Sequence, residues 1–305
     1  MTARDQKHNQ QYIARIHKVQ DYIEEHIGQA MSTEELADAA GFSKYHFSRI
    51  FGAILHEPLA HYVTRIRMER AVFFLAHRQD KNMTEIAYEL GFSDSAVFSR
   101  AFKNFYGVSP KEYRSEYRTN CKEPFLLSEY NKDAAKKKTI GSGFPVTGEI
   151  TIKRMEEKIL AYVRHTGTYE CLAKEYPSLI ETLFSYAEKQ HLLQEGENDV
   201  LAMYHDNPEF GEETQFRTSL CITVPEGMPL KEDGVLGKMR LEGGLYAVGH
   251  FHIRQEEYKD AWNYMYQEWL TCSDYMPRNC APFECYLNPY GEIQEVEIYV
   301  PIEPI

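Results

Sequence analysis

The chain has 305 residues, 43% of them hydrophobic and 26% charged, with a formal net charge of -12. That length exceeds the usual range of about 100–200 residues for one domain, and the balance is that of an ordinary folded protein, which excludes fibrous and disordered classes. No apolar run reaches the roughly 18–20 residues needed to span a bilayer, and no signal-peptide apolar region opens the chain, so a cytoplasmic location with no membrane partner is expected.

The acidity is unevenly placed. Residues 1–118 hold 16 Lys and Arg against 15 Asp and Glu, residues 119–148 hold 5 against 3, and residues 149–305 hold 13 against 28. The first part can approach a polyanion and the last repels one.

In chain order, Ser32 and Thr33 are candidate N-caps, with Glu35 in capping-box spacing from Ser32 and Leu36, Ala37 and Ala40 as the stripe of a short helix. Gly41 stops it, and Ser43 caps a second helix carrying Phe47, Ile50, Phe51 and Ile54. Glu85, Ile86, Ala87, Gly91, Phe92 and Ser93 then repeat Glu35, Leu36, Ala37, Gly41, Phe42 and Ser43, and Phe98, Arg100 and Phe102 repeat Phe47, Arg49 and Phe51. The spacing predicts two copies of a helix-turn-helix. With the phenylalanines inward, Tyr45, Ser48 and Arg49 face outward in the first copy, and Ala96, Ser99, Arg100 and Lys103 in the second. Arginine pairs with guanine O6 and N7, and a neighbouring lysine holds phosphate.

Between the copies, residues 58–79 read as one helix opened by Pro58. About 20 helical residues span roughly 30 Å, close to the roughly 34–36 Å between successive major-groove segments. The segment "MTEIAYELGFSDSAVFSRAFKNFYGVSPKEYR", Met83 to Arg114, resembles the AraC/XylS-type DNA-binding domain, and the resemblance covers residues 12–118. It implies an all-α domain over residues 1–118, with two helix-turn-helix units joined by a long helix. It also implies double-stranded promoter DNA and RNA polymerase as partners. The candidate DNA-facing set is Ser43, Lys44, Tyr45, Ser48 and Arg49 with Ser95, Ala96, Ser99, Arg100 and Lys103.

Residues 119–148 show no period, gather Gly, Ser and Pro around Lys136 to Lys138, and are expected to be a linker. Residues 149–305 alternate strand-like stretches with two helical ones, Tyr169 to Leu193 and Gln255 to Cys272. Met155, Glu156, Ile159 and Ala161 are echoed by Leu241, Glu242, Leu245 and Ala247. Two strand-helix-strand-strand repeats are expected to form one antiparallel sheet with both helices on one face, an α+β domain.

Glu284 lies in an apolar strand on the same face as Tyr286. Either it sits at an edge in water, or it lies among the domain's many aromatic side chains, where it would attract a lipophilic cation. The stretches "ILAYVRHTGTY", "LEGGLYAVGHF" and "FECYLN" resemble the GyrI-like effector-binding domain, and the domain order is similar to Rob-type AraC members. The resemblance implies a small-molecule effector, lipophilic or cationic and of the cationic aromatic kind, with Tyr162, Tyr204, Trp262, Glu284 and Tyr286 as candidate ligand residues and no catalytic role.

One alternative is a hydrolase of a small electrophile with Glu284 or Glu170 as general base; another is a protein-inhibitor module. The six cysteines form no CxxC pair and read as reduced thiols. His250 and His252 share one strand face, and two ligands without a nearby carboxylate or thiolate make a weak metal signal. Neither metal nor cofactor is expected.

Overall fold

The computed structural model describes residues 3–119, 148–194, 198–206, 213–225, 227–230, 235–288 and 292–305. The chain forms two compact units, Met1–Lys138 and Thr139–Ile305. The expected linker falls almost wholly on residues 120–147, outside the described residues.

The first unit is helical: α1 (Ala3–Glu25), α2 (Thr33–Ala39), α3 (Lys44–Leu55), α4 (Leu59–His77), α5 (Met83–Glu89), α6 (Ser95–Tyr106) and α7 (Pro110–Thr119). Short helices depend on their ends, because their first N–H groups have no partner within the helix. The Ser32 hydroxyl accepts from Glu35 N at 3.1 Å while Ser32 N donates to the Glu35 carboxylate at 2.7 Å. Asn82 and Glu85 make the same reciprocal box at α5, and Ser109 and Glu112 make it at α7.

The two turns match. Phe42 N donates to Ala37 O and Phe92 N to Ala87 O, both at 2.9 Å, while Gly41 N reaches Asp38 O and Gly91 N reaches Tyr88 O. Each turn is a Schellman ending with glycine in the left-handed region, at φ 64° for Gly41 and 75° for Gly91. Two corrections concern the next elements. Pro58 is the N-cap of α4, one place before its first turn, and Ser43 occupies the N-cap of α3 without a capping hydrogen bond from its side chain.

Phe47 and Phe51 are fully buried against Ile16, Val19, Ile23, Leu36 and Tyr62. Phe98 and Phe102 are fully buried in the second copy, where Phe102 stacks edge-on against Tyr113 of α7. Each such ring contributes about 1.5–3 kcal/mol through lost contact with water. The long helix holds the copies through its polar groups as well. Arg67 donates to the carbonyls of Ile27 and Gln29, and Arg70 to that of Glu24.

The second unit contains β1 (Glu149–Met155), β2 (Lys158–Thr166), α8 (Tyr169–Lys189), β3 (Val200–Tyr204), β4 (Arg217–Val224), β5 (Gly237–Leu241) and β6 (Gly244–Ile253). These are followed by α9 (Tyr258–Asn263), β7 (Tyr275–Pro277), β8 (Phe283–Asn288) and β9 (Gln294–Pro304). A π-helical segment, Tyr264–Trp269, and a 3₁₀ turn, Leu270–Cys272, continue α9.

All strand pairs are antiparallel, in the order β1-β6-β9-β8-β3-β4-β2-β5, with β7 added to β9. The order reads the same from either end if β1 is exchanged with β5, β2 with β6, β3 with β8 and β4 with β9. Each half therefore begins with a strand that the four-element repeat expected from sequence does not include. That leading strand pairs with the other half: β1 with β6, and β5 with β2.

Leu183 and Ala187 of α8 pack with Ala161, Val163, Leu220 and Ile222. Ala261 and Met265 pack with Ala247, Phe251, Val296 and Ile298. Leu160, Tyr162, Met203, Tyr246, Phe283 and Tyr299 form a separate cluster on the opposite face of the sheet.

Candidate functional site

Lys44, Ser48 and Arg49 of α3 are exposed, as are Ala96, Arg100 and Lys103 of α6, while Ser95 and Ser99 are half-buried and Ser43 is exposed at the turn. The side chain of Tyr45 lies outside the described residues. The outer faces differ at their N-termini. Asp94, rather than a serine, caps α6, and its carboxylate accepts from Ala96 N and Val97 N at 2.8 Å. These bonds hold its pKa below the ordinary carboxylate value. His46 and Asn104 are exposed on the same helices and were not in the expected set. By contrast, α4 turns Arg65 inward, 4% exposed, between Glu57 and Glu69.

In the second unit one row of paired residues crosses the helix-covered face: Ile150, Gly249, Ile298, Glu284, Ala202, Leu220 and Val163. Glu284 is the one charged residue in that row and is 1% exposed, so it is not at a watered edge. Its Oε2 accepts from the Tyr204 and Tyr286 hydroxyls, each at 2.7 Å, and its Oε1 accepts from Trp262 Nε1 at 2.7 Å.

Burial pushes its pKa above the ordinary carboxylate value, and the three hydrogen bonds pull against that shift. The indole N–H can only donate, and an ionised carboxylate only accepts, so this arrangement suits the charged form. Burial by itself disfavours that form. No lysine or arginine is among the groups that move its acidity.

Around these donors lie further rings from both helices. Tyr169 meets Tyr204 at 5.8 Å, Tyr176 meets Tyr286 at 6.1 Å, and Tyr204 meets Trp262 at 5.5 Å, all edge to face. Tyr266 stacks on Trp262. Tyr169 and Tyr176 were missed in the sequence reading, although they share the helical stripe that packs over the strand bearing Tyr204.

Tyr162 does not join the site. Its neighbour Val163 shares the Glu284 row, so Tyr162 faces the opposite side of the sheet, in the cluster with Tyr246 and Phe283. Arg164 stands 4.8 Å over its ring. Glu170, the other candidate base, is exposed and pairs with Lys174 at 2.8 Å, which lowers its pKa and leaves it a poor base. An open depression lined by Tyr264, Glu268, Trp269, Cys272 and Ser273 lies further along the helical segment and includes neither Glu284 nor its donors.

Among the described residues, no helix is long and apolar enough to cross a membrane. Residues 148–303 match the GyrI-like small molecule binding domain, and residues 36–116 match a helix-turn-helix domain. An uncharacterized HTH-type transcriptional regulator of Staphylococcus aureus strain MRSA252 is 36% identical over 102 residues, 33% of this chain and 14% of that protein. The Msm operon regulatory protein of Streptococcus mutans is 30% identical over 107 residues, 35% of this chain and 38% of that protein. The chain thus spans well under half the length of these curated relatives.

Among solved structures, a cryo-EM structure of an EcmrR–DNA complex in EcmrR-RPo is 17% identical, covers 88% of this chain and 85% of that one, and has a TM-score of 0.45. The chain belongs to the GyrI-like small-molecule-binding family and carries ahead of that domain a helix-turn-helix domain of the AraC type.

Proposed function

We propose that this protein is a cytoplasmic, ligand-responsive transcription regulator. Its two recognition helices, α3 and α6, read promoter DNA, and its GyrI-like domain senses a small lipophilic cation. Supporting the DNA part, matched Schellman turns present Arg49 and Arg100 from equivalent places on helices joined by α4. At about 1.5 Å per residue the 19 residues of α4 measure roughly 28 Å, near one turn of B-DNA. Contact with RNA polymerase belongs to the same proposal.

The observation that carries the ligand part is Glu284: a buried carboxylate satisfied by three neutral donors with no lysine or arginine among the groups that shift it. A bound cation would supply the missing counter-charge, and the rings of Tyr169, Tyr176, Tyr204 and Trp262 would face it with their negative quadrupoles. The ligand acts on DNA binding only through a difference in affinity between two protein states.

The protein is proposed to be no enzyme. Both Glu284 oxygens already accept hydrogen bonds, and a base needs a free lone pair directed at water. Calorimetric titration with a delocalised aromatic cation and its uncharged isostere tests the reading. Binding of the cation alone, lost in Glu284→Gln, is expected; equal binding of both ligands, or conversion of either on long incubation, sinks it.

A further inference from the structure

We propose that His250, His252 and Glu295, backed by Glu297, form a binding site for a divalent transition-metal ion of the zinc class, separate from the Glu284 site. Strands β6 and β9 pair so that His250 faces Glu297 and His252 faces Glu295. The residues between them, Phe251 and Val296, are 1% and 0% exposed in the core beneath α9, and this anchors the backbone that carries the four polar side chains. Alternation along the strands then places those side chains together on the face away from the helices.

The donor atoms of His250, His252 and Glu295 all lie within 4.8 Å of one another. Glu295 Oε1 stands 3.2 Å from His250 Nε2 and 3.9 Å from His252 Nε2. Four ligands at about 2.0–2.2 Å around a tetrahedral ion stand roughly 3.4 Å apart, so small side-chain rotations bring these three into place. Two imidazoles and one carboxylate favour a borderline ion such as Zn²⁺, Co²⁺ or Ni²⁺ over Ca²⁺ or Mg²⁺, which take oxygen ligands.

The half-open setting, with the His252 side chain 63% exposed, leaves the fourth position to water. Glu297 plays a different part. It is tied to Lys153 at 2.9 Å and accepts from the Tyr299 hydroxyl, and its Oε1 lies 3.8 Å from His250 Nδ1, on the ring nitrogen not aimed at Glu295. A carboxylate there orients the imidazole and raises its basicity as a ligand. Glu297 pairs with Cys285, the neighbour of Glu284 that faces the other way, so the two sites are on opposite faces of the sheet.

The competing account of the same residues is a pair of cross-strand His–Glu contacts with no affinity for metal. Titration of the full chain with Zn²⁺ by calorimetry, and with Co²⁺ by absorption, separates the two. Because Cys171 and Cys272 are exposed thiols, the titrations are done in parallel on a Cys171→Ser/Cys272→Ser background.

One ion per chain is expected on both backgrounds, with a Co²⁺ spectrum free of thiolate charge transfer and affinity at least tenfold weaker in His252→Ala and in Glu295→Gln. The Gln variant keeps the side-chain shape, and equal melting of all variants without metal establishes that they fold alike. No binding by the parent chain overturns the proposal. So does binding of unchanged stoichiometry and strength in both variants, or binding that disappears with the thiols.

Discussion

Each unit buries a charged group, and the two burials are built differently. In the helical unit Arg65 lies between Glu57, whose Oε1 it meets at 2.6 Å, and Glu69 at 3.0 Å. Opposite charges close that network within one helix and the residue ahead of its cap. In the sheet unit Glu284 is as deeply buried, yet its partners are two phenols and an indole. Both satisfy the hydrogen-bonding rule for buried polar groups, but only the first neutralises its charge. A complete ion network needs nothing more, whereas a carboxylate held by neutral donors leaves the place of a cation to something else.

The comparison breaks most sharply at the closed network. Arg65→Met leaves the buried Glu57 and the half-buried Glu69 without that arginine, and a loss of about 3–5 kcal/mol of helical-unit stability is expected in urea melts. Adding Glu57→Gln should recover part of that loss. Glu284→Gln tests the open one. A cationic ligand should lose about 2–5 kcal/mol of affinity, as when one partner of a buried charged pair is removed. The variant without ligand should be at least as stable as the parent, because an uncompensated buried charge has gone.

On the DNA side, Arg100→Ala should weaken binding to a specific site roughly tenfold or more with little change on random duplex, read by anisotropy at fixed salt. Lys103→Ala should weaken both equally and flatten the salt dependence.

A smaller effect separates the two sites by pH. Burial holds the folded-state pKa of Glu284 above its ordinary value of 4.5. Folding therefore favours the protonated carboxyl more than the unfolded chain does, and the stability this contributes is complete below the ordinary value and lost as pH rises through the folded one. The stability difference between Glu284→Gln and the parent should widen upward from about pH 4.5 and then level off, while cation affinity rises over the same range. A flat difference would mean that the carboxyl titrates normally. The smallest effect concerns the turns. Gly41→Ala, whose added carbon would make only an ordinary contact with Arg15 Nη1 at 3.9 Å, should cost about 1 kcal/mol for its left-handed backbone. Gly91→Ala should cost more, because the new carbon would meet the Ile27 carbonyl at 3.0 Å and Arg67 at 2.7 Å.

The helical unit was largely legible because its determinants are local. The Ser32–Glu35 box, the glycine stops and the Phe47/Phe51 and Phe98/Phe102 stripes all act within four residues of themselves. What failed there was placement by a single residue, as with Pro58, which caps α4 and does not open its first turn.

In the sheet unit the shared face of Glu284 and Tyr286 was legible because it lies within one strand. The misplacement of Tyr162 has a different cause. Alternation says that Tyr162 and Val163 face opposite ways, but not which of them shares a face with Glu284. Three successive strand registers settle that, and registers depend on long-range pairing. The same limit hid the convergence of Glu295 on His250 and His252, 43 residues away at its directly paired position, and the exchange of the leading strands.

That exchange has a mechanical consequence. Strands β3 and β8 meet at the centre of the sheet, beside Glu284, and a ligand wedged among rings supplied by α8 and by the α9 segment would push along that seam. The strand pairs that tie the two halves together, β1 with β6 and β5 with β2, lie away from it. A widening of the seam would therefore leave both ties intact, and the outer strands would act as a hinge while the centre yields.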